Sequence, residues 1–471
     1  MLKGKEMNQF EEKLNTNQDK LKQIASEAVK SAVQKGASEC EVSIGGVKGL
    51  SVTSRNCEVE NIVFNRDNGM DITVYKNKKR GSASTTDLSK KAIEECIESA
   101  LNIANYSDED ECAGIASSEL LCTSFKDLGL VFDNQVDADF AVKQAIELEQ
   151  LALDQGNKLI KNSDGASFDS NLYTSVLANS NGFCQAKSSS CVSSSLVLLG
   201  EHQGKMQRGS GYSVARSLED LYEPNKVVKE AIDRTTSKLD SKSVPTGKYN
   251  VIFSRSAVAS LWGMLASAIS GGAIYRRSSF LCDKLGEQIF PNFVTVHEDP
   301  FVVKGLASRN FDGDGVFVTK SDLVSEGILR AYLLGCYSAK KLQLTSNGHA
   351  SGIHNWFVSF DKAHTYQFDD LLSSVNEGLV ITDLMGQGID MVSGNYSRGA
   401  EGYYFKNGKF EYAVDGITIA GNIKDMFMNM SAMATDIDER MKIKTGSVLN
   451  PNLTVSGLLK VKRWLLPPFG Y

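Results

Sequence analysis

The segments CEVSIGGVKGLSVTSRNCEVENIVF (residues 40–64) and MDITVYKNKKRGSAST (residues 70–85) decide the fold of the N-terminal half. Apolar and polar side chains alternate along both segments, and turn residues separate the alternating runs, as is typical of half-buried β-strands. The two segments therefore predict an antiparallel meander. Periodic apolar residues on either side, at 8–36 and 85–106, predict flanking helices.

The rest of the chain continues with grouped strands and helices. An acidic, irregular linker at residues 107–135 separates the meander from a second strand-rich segment at 160–213. Pro245 and Gly247 mark a further boundary, after which short strands predominate, including GILRAYLLGCYSA at 327–339. This grouping predicts the α+β class, with an N-terminal antiparallel sheet domain with helices followed by a strand-rich mixed C-terminal domain. The predicted divisions are an N-terminal helix region (1–35), an N-terminal α+β domain (36–106), a central domain (130–240), a C-terminal strand-rich domain (246–457) and a tail (458–471).

Composition and charge limit the classes of function. Of 471 residues, 42% are hydrophobic and 23% are charged, and 51 Lys and Arg against 57 Asp and Glu give a net charge of −6. A mildly acidic chain has no long-range attraction for DNA or anionic lipid, so neither nucleic-acid binding nor membrane binding is expected. The nine cysteines form no CxxC pair, which favours reduced thiols. Residues 1–20 are polar and carry no secretory signal, so a cytoplasmic location is expected.

The uncharged segment SAVASLWGMLASAISGG (residues 256–272) raises the question of a membrane span. Its larger apolar residues, such as Val258, Leu261 and Leu265, recur on one face of a helix. About 14 helical residues reach about 21 Å, which is short of a hydrocarbon core of about 30 Å. We therefore predict a buried or half-buried helix. The small residues on its other side indicate that something packs very close to it.

Familiar catalytic motifs are missing from the sequence. It contains no HExxH, no GxSxG and no GxxxxGK[ST]. The DGDG run at 312–315 has Leu323 where a calcium loop needs a bidentate glutamate, so it predicts a turn. His349 and His354 lie in the loop TSNGHASGIHNW with no acidic residue between them. Two interpretations stay open for this pair: metal ligands, or loop or cleft histidines that make ordinary hydrogen bonds.

A glycine-rich segment at residues 385–422 has two interpretations. Its eight glycines allow positive φ and close backbone approach, so exposed strand edges there could accept an extended peptide by β-augmentation. A sharply curved sheet, whose glycines relieve crowding, is the alternative. Within the segment, Ser397 and Gly399 flank Arg398, whose guanidinium could clamp a peptide carbonyl or carboxylate or form a surface salt bridge. We therefore predict a substrate cleft formed by Ser397, Arg398, Gly399, His349 and His354.

Several long blocks of the sequence resemble one protein family. They include GGAIYRRSSFLCDKLG (271–286), YSAKKLQLTSNGHASGIHNW (337–356) and IKTGSVLNPNLTVSG (443–457). In content and order these blocks resemble the TldD/PmbA family, specifically its PmbA (TldE) branch, also called modulator of DNA gyrase. The resemblance runs from about residue 36 to residue 457, and it is specific because the blocks are long and keep their order.

The resemblance implies a cytosolic subunit of a TldD/TldE-type metallopeptidase that cleaves unfolded or leader-bearing peptides. The zinc-carrying sister, TldD, has His-Glu, three residues and His on the helix that corresponds to residues 256–272, and a Cys ligand near its C-terminus. Gly263, Met264 and Ala268 stand at the degenerate zinc-helix positions here, and none of them can bind metal or move a proton. The resemblance therefore implies no catalytic and no metal-binding residue in this chain, with zinc expected in the partner subunit.

Two functions stay open at this point. In the first, the chain is inactive alone, forms a homodimer when alone, and shapes the substrate cleft beside a TldD-like zinc subunit that acts on unfolded peptides. In the second, it is a standalone binding or regulatory protein without proteolytic activity. The tail at 458–471 lies beyond the resemblance, and no role is predicted for it.

Overall fold

A computed structural model describes residues 2–156 and 158–457, with the backbone alone for residues 2–8; the predicted tail lies outside the described residues. The helices are α1 (Leu2–Gln34), α2 (Lys90–Tyr106), α3 (Ala138–Gln155), α4 (Pro224–Thr236), α5 (Arg255–Ala268), α6 (Gly271–Tyr275), α7 (Cys336–Leu342), α8 (Phe368–Ser373) and α9 (Ile423–Met428).

A six-stranded antiparallel sheet organises the N-terminal half. Its strands are β1 (Glu39–Arg55), β2 (Glu58–Lys76), β3 (Lys79–Thr85), β4 (Ile160–Asn179), β5 (Cys184–His202) and β6 (Lys205–Ala215). They lie in the order β3-β2-β1-β4-β5-β6. The predicted meander is therefore present as β1 to β3. Because β1 also pairs with β4, the two strand-rich segments of the N-terminal half share one continuous sheet.

The helices cover one face of this sheet. Val42 and Ile72 from the strands pack with Ile97 of α2 and with α1 in one core cluster, and α3 and α4 cover the β4–β6 half. Gly81 allows the close approach of α2, since a Cβ atom there would lie 2.0 Å from the carbonyl oxygen of Ala100. On the opposite face, Leu177 of β4 packs with Leu121 and Phe311 in a separate cluster.

The C-terminal half is strand-rich. Its strands are β7 (Gly247–Phe253), β8 (Val294–Asp299), β9 (Ser321–Ser325), β10 (Ile328–Leu329), β11 (Asn355–Phe360), β12 (Thr365–Tyr366), β13 (Glu377–Met385), β14 (Asn395–Lys406), β15 (Lys409–Asn422), β16 (Ala432–Ala434), β17 (Ile443–Lys444) and β18 (Val448–Gly457). One sheet has the order β10-β9-β8-β11-β17, and the other has the order β12-β16-β18-β15-β14-β13-β7. Pairing of β18 with β7 closes part of the second sheet into a small barrel. The predicted α+β class, with an N-terminal antiparallel sheet and helices followed by a strand-rich C-terminal domain, is confirmed.

One predicted strand, residues 327–339, is mostly wrong. Only Ile328 and Leu329 form a strand, and α7 begins at Cys336. The carboxylate of Asp314 accepts a hydrogen bond from the backbone N–H of Cys336 at 2.7 Å, which satisfies a free donor at the start of this helix. The apolar alternation could not show this contact, because Asp314 lies in a different loop.

Helix α5 lies in the core of the C-terminal half, as predicted. Val258, Leu261, Trp262 and Leu265 are each 0% exposed and belong to one hydrophobic cluster with strands of both sheets. No helix in the described parts of the chain is long and apolar enough to cross a membrane. The close packing expected on the small-residue side is present at Gly271, where a Cβ atom would lie 2.3 Å from the hydroxyl oxygen of Ser338, but not at Gly263. A Cβ atom added to Gly263 would meet nothing within 4 Å.

Candidate functional site

A cavity of about 580 Å³ opens at the N-terminal half of α5. Ser256 and Ser260 of α5 lie on one wall, and Arg398 of β14 lies on another. The helix begins with the side chain of Ser254 accepting a hydrogen bond from the backbone N–H of Ala257, so the positive end of the helix dipole faces this region. A cavity with these walls favours carbonyl and carboxylate groups.

Arg398 is half-buried and held on two sides. Its guanidinium donates to the hydroxyl of Ser260 at 3.3 Å and to the carbonyl oxygen of Leu384 at 3.0 Å, and its Nε donor has no protein partner. Neither contact is an ion pair, so the positive charge of the guanidinium stays available in the cavity. The structure thus places Arg398 on a concave surface, away from any salt bridge.

Ser397 and Gly399 do not join Arg398 on the cavity wall. Successive side chains of a strand point to opposite faces, and neither neighbour lines the cavity. Ser397 is exposed, and a Cβ atom on Gly399 would lie 3.5 Å from that of Met385. The predicted trio is therefore split, with Arg398 alone in the cavity.

The degenerate zinc-helix positions do not form one surface either. Gly263 is half-buried and open to space, Met264 packs partly against the core, and Ala268 is fully buried. At 100° per residue, positions 263 and 268 are about 140° apart around the helix. The open side of α5 is instead a row of small residues, Ser256, Ser260, Gly263 and Ser267.

His349 and His354 lie in the interior, 6% and 0% exposed, together with Glu298 of β8. The Oε1 atom of Glu298 lies 2.6 Å from Nε2 of His349 and 2.7 Å from Nδ1 of His354. Its Oε2 atom accepts from the indole N–H of Trp356 at 2.5 Å and from the backbone N–H of His354 at 3.1 Å. Neither histidine therefore lines an open cleft, and the carboxylate is fully hydrogen-bonded.

The protonation of this group follows from its partners. Asn347 Oδ1 accepts from the backbone N–H of Leu334 and lies 2.8 Å from Nδ1 of His349, so that nitrogen must donate. Nε2 of His349 donates to Glu298, so the ring carries both protons and pairs as a cation with the carboxylate. Burial lowers the pKa of His354, whose Nε2 has no partner, so this ring is neutral.

Glu298, His349 and His354 form the one group of at least three ligand-type side chains that the described residues bring together, with ligand atoms within 4.8 Å of one another. Catalytic zinc needs unprotonated ligands at about 2.0–2.2 Å and a further open position for water. Here the nitrogens that face the carboxylate donate hydrogen bonds to it, and all three side chains are buried. The group as folded is a buried, hydrogen-bonded cluster, and a metal ion would bind there only with loss of the protons that its nitrogens share with the carboxylate.

Sequence reasoning missed Glu298 because it looked for an acid between the two histidines. The strand VTVHED carried a usable signal, since Val294, Val296 and Glu298 alternate in register and all point inward. An inward-facing carboxylate in a strand needs a buried partner. The pairing of β8 with β11, which places Glu298 opposite Trp356, brings it to the histidine loop.

A second carboxylate, that of Glu41 on β1, lies near other acidic side chains in surroundings that disfavour its charged form. Burial raises its pKa to about 8, with Asp314 and Asp312 adding to the rise and Arg80 opposing it. The pKa of Glu41 in the folded protein lies above its value of about 4.3 in the unfolded chain. The stability that the protonated side chain contributes is therefore fully present below about pH 4.3 and is lost as the pH rises through about 8.

Replacing Glu41 by glutamine is therefore expected to raise the free energy of unfolding by about 1–3 kcal/mol at pH 9 and to change it little at pH 4.5. Urea denaturation at the two pH values measures the difference. Glu58→Gln, at an exposed position on β2, is the matched control. An equal effect of Glu41→Gln at both pH values would contradict the prediction.

This chain is similar to known proteins over most of its length. Family models match at residues 40–104 (PmbA/TldA metallopeptidase domain 1), 133–239 (central domain) and 246–457 (C-terminal domain). The metalloprotease PmbA of Escherichia coli O157:H7 is 42% identical over 439 residues, which are 93% of this chain and 97% of that protein.

Two solved structures share the fold. A Bacteroides thetaiotaomicron protein named as a modulator of DNA gyrase superposes with a TM-score of 0.87 at 23% identity, over 93% of this chain and 99% of that one. TldE from Thermococcus kodakarensis gives a TM-score of 0.79 at 18% identity, over 92% and 100%. Matching models cover most of the chain and a relative well above 30% identity spans nearly all of it, so this chain belongs to the PmbA/TldD metallopeptidase family.

Proposed function

We propose that this chain is the non-zinc subunit of a TldD/TldE-type metallopeptidase and that the α5 cavity holds part of an unfolded or leader-bearing peptide. The observation that carries the proposal is the cavity beside Arg398. There, an unpaired guanidinium and the N-terminus of α5 meet a row of small side chains. Such walls can hold an extended backbone by its carbonyl groups and leave room for varied side chains.

The same helix supports an assignment of the metal to a partner. The open row of α5 offers hydroxyls and a glycine but no imidazole or carboxylate, so it has neither a ligand nor a general base for a zinc-bound water. In the proposed assembly a TldD-like subunit supplies the zinc, and this chain orients the peptide and completes the wall of the chamber.

The second candidate, a standalone binding protein, would use the same cavity without a catalytic partner. Co-purification of a second family member from the native host separates the two candidates. A homodimer that binds peptide and recruits no zinc subunit would favour the second.

The assembly is expected to be active only when both subunits are present. Purified alone, this chain should hold less than about 0.1 equivalent of zinc and should not cleave unfolded peptide, because it lacks an open tetrahedral site. Adding the TldD-like subunit should give cleavage that a chelator abolishes. Metal analysis beside a peptide-cleavage assay measures both properties. One tightly bound zinc per isolated chain, together with cleavage by that chain, would overturn the proposal.

Arg398→Ala is expected to lower kcat/KM of the assembled complex by about 10–100-fold, the value of a charge-assisted hydrogen bond of about 1.5–3 kcal/mol. Its melting temperature should change by less than about 3 °C, since only two hydrogen bonds are lost. Arg330→Ala removes an exposed arginine outside the cavity and is the control. Unchanged turnover by the Arg398 variant would remove this residue from the site.

A further inference from the structure

A second cavity, of about 840 Å³, lies between strands of the N-terminal sheet and loops from other parts of the chain, and Glu11 of α1 is also among its lining residues. Residues 173–175 of β4 and 186–189 of β5 form its floor, and the segments 125–132 and 306–311 form its sides. Its volume is within the range of ligand-binding clefts. It shares no lining residue with the α5 cavity, so it is a separate site.

The charged groups around this cavity are unbalanced. Four cations and two carboxylates line it: Lys126, Lys187, Arg216 and Arg309, and Glu11 and Asp127. In the described parts of the chain, none of the four cations has a carboxylate oxygen within 4.0 Å. The lining residues therefore carry a net positive charge in a concave site, where field lines concentrate, although Asp312, outside the lining, offsets part of the charge of Lys187 and Arg309.

The two arginines are fixed by neutral groups. Arg216 is 7% exposed and donates to the carbonyl oxygen of Ser190 and to two carbonyls of the 305–306 loop, each at 3.0 Å. Its Nε atom is buried without a partner. Arg309 donates to two carbonyls of the 351–353 loop. Carbonyl oxygens orient both guanidinium groups, and the carboxylates of Asp312 and Glu298 offset part of the charge of Arg309, so an anion would find the charge of Arg216 the less compensated of the two.

Lys187 and Lys126 are the exposed cations of the set, and the ammonium of Lys126 lies over the ring of Phe301. The ammonium of Lys187 lies 5.2 Å from the ring centroid of Phe311. Burial by the surrounding walls lowers the pKa of Lys187, and the positive charge of Arg309 adds to this effect. An anion between the two cations would relieve their repulsion and would be bound most strongly at low ionic strength.

We propose that this cavity binds the carboxylates of an acidic peptide segment; the assignment deepens, and rests on, the proposed role in peptide processing. The volume is many times the roughly 30 Å³ of a water molecule, so a free carboxylate or phosphate ion would leave most of it unfilled. The side chains of Phe125, Phe132, Tyr173 and Phe311 also line the cavity and offer apolar contacts that an inorganic anion cannot use.

The test measures binding of fluorescent peptides to the isolated full-length chain by anisotropy. One peptide carries several glutamates and an amidated C-terminus, a second has glutamine in their place, and a third has those glutamines and a free C-terminal carboxylate. The glutamate peptide should bind at least tenfold more tightly than the amidated glutamine peptide, and added salt should weaken it. Preferred binding of the third peptide would show that the terminal carboxylate is the group recognised. Equal binding of all three would overturn the proposal.

Variants locate the site. Lys187→Gln should weaken binding of the glutamate peptide at least tenfold, and Lys187→Arg should restore most of it because the charge is kept. Lys161→Gln, at an exposed lysine on β4 outside the cavity, is the matched control and should change binding less than twofold. An unchanged affinity for Lys187→Gln, or displacement of the peptide by micromolar inorganic phosphate, would overturn the carboxylate assignment.

The two proposals can fail separately. Charge-selective binding is measured without the zinc subunit, so it does not depend on cleavage. If the assembled complex cleaves peptides while the isolated chain binds the three peptides equally, the cavity assignment is wrong and the proposed function stands. If the binding is selective but no assembly with a zinc subunit cleaves, the peptidase role is wrong and the chain is a peptide-binding protein.

Discussion

Replacing Leu265 by aspartate is expected to lower the free energy of unfolding by about 5 kcal/mol or more. Leu265 is 0% exposed in the cluster that holds Trp262 and Phe290. Losing a buried leucine alone costs about 2–5 kcal/mol, and a buried carboxylate without a partner adds a desolvation cost. Urea denaturation of the purified chain, followed by tryptophan fluorescence, measures the loss.

The control for Leu265 lies on the same helix. Ser267→Asp introduces the same carboxylate on the exposed side of α5 and should change the free energy of unfolding by less than about 1 kcal/mol. Should Leu265→Asp not fold, Leu265→Ala provides the measurement, with an expected loss of about 2–5 kcal/mol. Equal stabilities of the Leu265→Asp and Ser267→Asp proteins would show that α5 is not oriented as described.

Glu298→Ala is expected to lower the free energy of unfolding by about 3–5 kcal/mol. The substitution leaves the charged ring of His349 and the indole N–H of Trp356 without an acceptor in the interior. Glu298→Gln keeps an acceptor but removes the charge, so its loss should be smaller. The exposed pair of His297 with Asp322, at 2.7 Å on the neighbouring strands, is the control, and Asp322→Ala should cost less than about 1 kcal/mol.

The pH dependence identifies the role of the Glu298 charge. Burial is the largest single influence and favours the neutral acid, but hydrogen bonds from His349 and His354 outweigh it and hold the pKa of Glu298 well below its usual range. The stability that this group contributes is therefore present above the unfolded pKa of about 4.3 and is lost as the pH falls below it. Between pH 5 and pH 3 the parent should lose more stability than Glu298→Gln. Parallel losses would contradict the assigned charge.

The fold was largely predictable where local patterns carry the information. Alternation marks β1 to β3, and the apolar stripe of Leu261 and Leu265 places α5 in the core, because both patterns follow from which face of one element is buried. The pairing of strands that lie far apart in the sequence was not predictable in the same way. Nothing local to residues 160–179 shows that β4 pairs with β1 on one edge in addition to β5 of its own segment on the other.

The candidate sites show the same limit. Arg398 was found because a lone cation among glycines is visible in the sequence, and β14 places it in a cavity. The neighbours Ser397 and Gly399 were included by proximity along the chain, although successive residues of a strand point to opposite faces. The sequence did not indicate that Lys187 and Arg309 share a site, because they lie 122 positions apart in the chain. Only the packing of the 306–311 loop on β5 brings them together.

The pairing of β1 with β4 has a consequence for the chain as it is made on the ribosome. About 100 residues separate the end of β1 from the start of β4. At about 5–20 residues per second, the edge of β1 that pairs with β4 therefore stays unpaired for roughly 5–20 s during synthesis. During that time one full edge of a 17-residue strand has its N–H and C=O groups free to pair with another nascent chain. Slow elongation of this chain should therefore increase its dependence on chaperones at this stage beyond what the stability of the finished molecule would suggest.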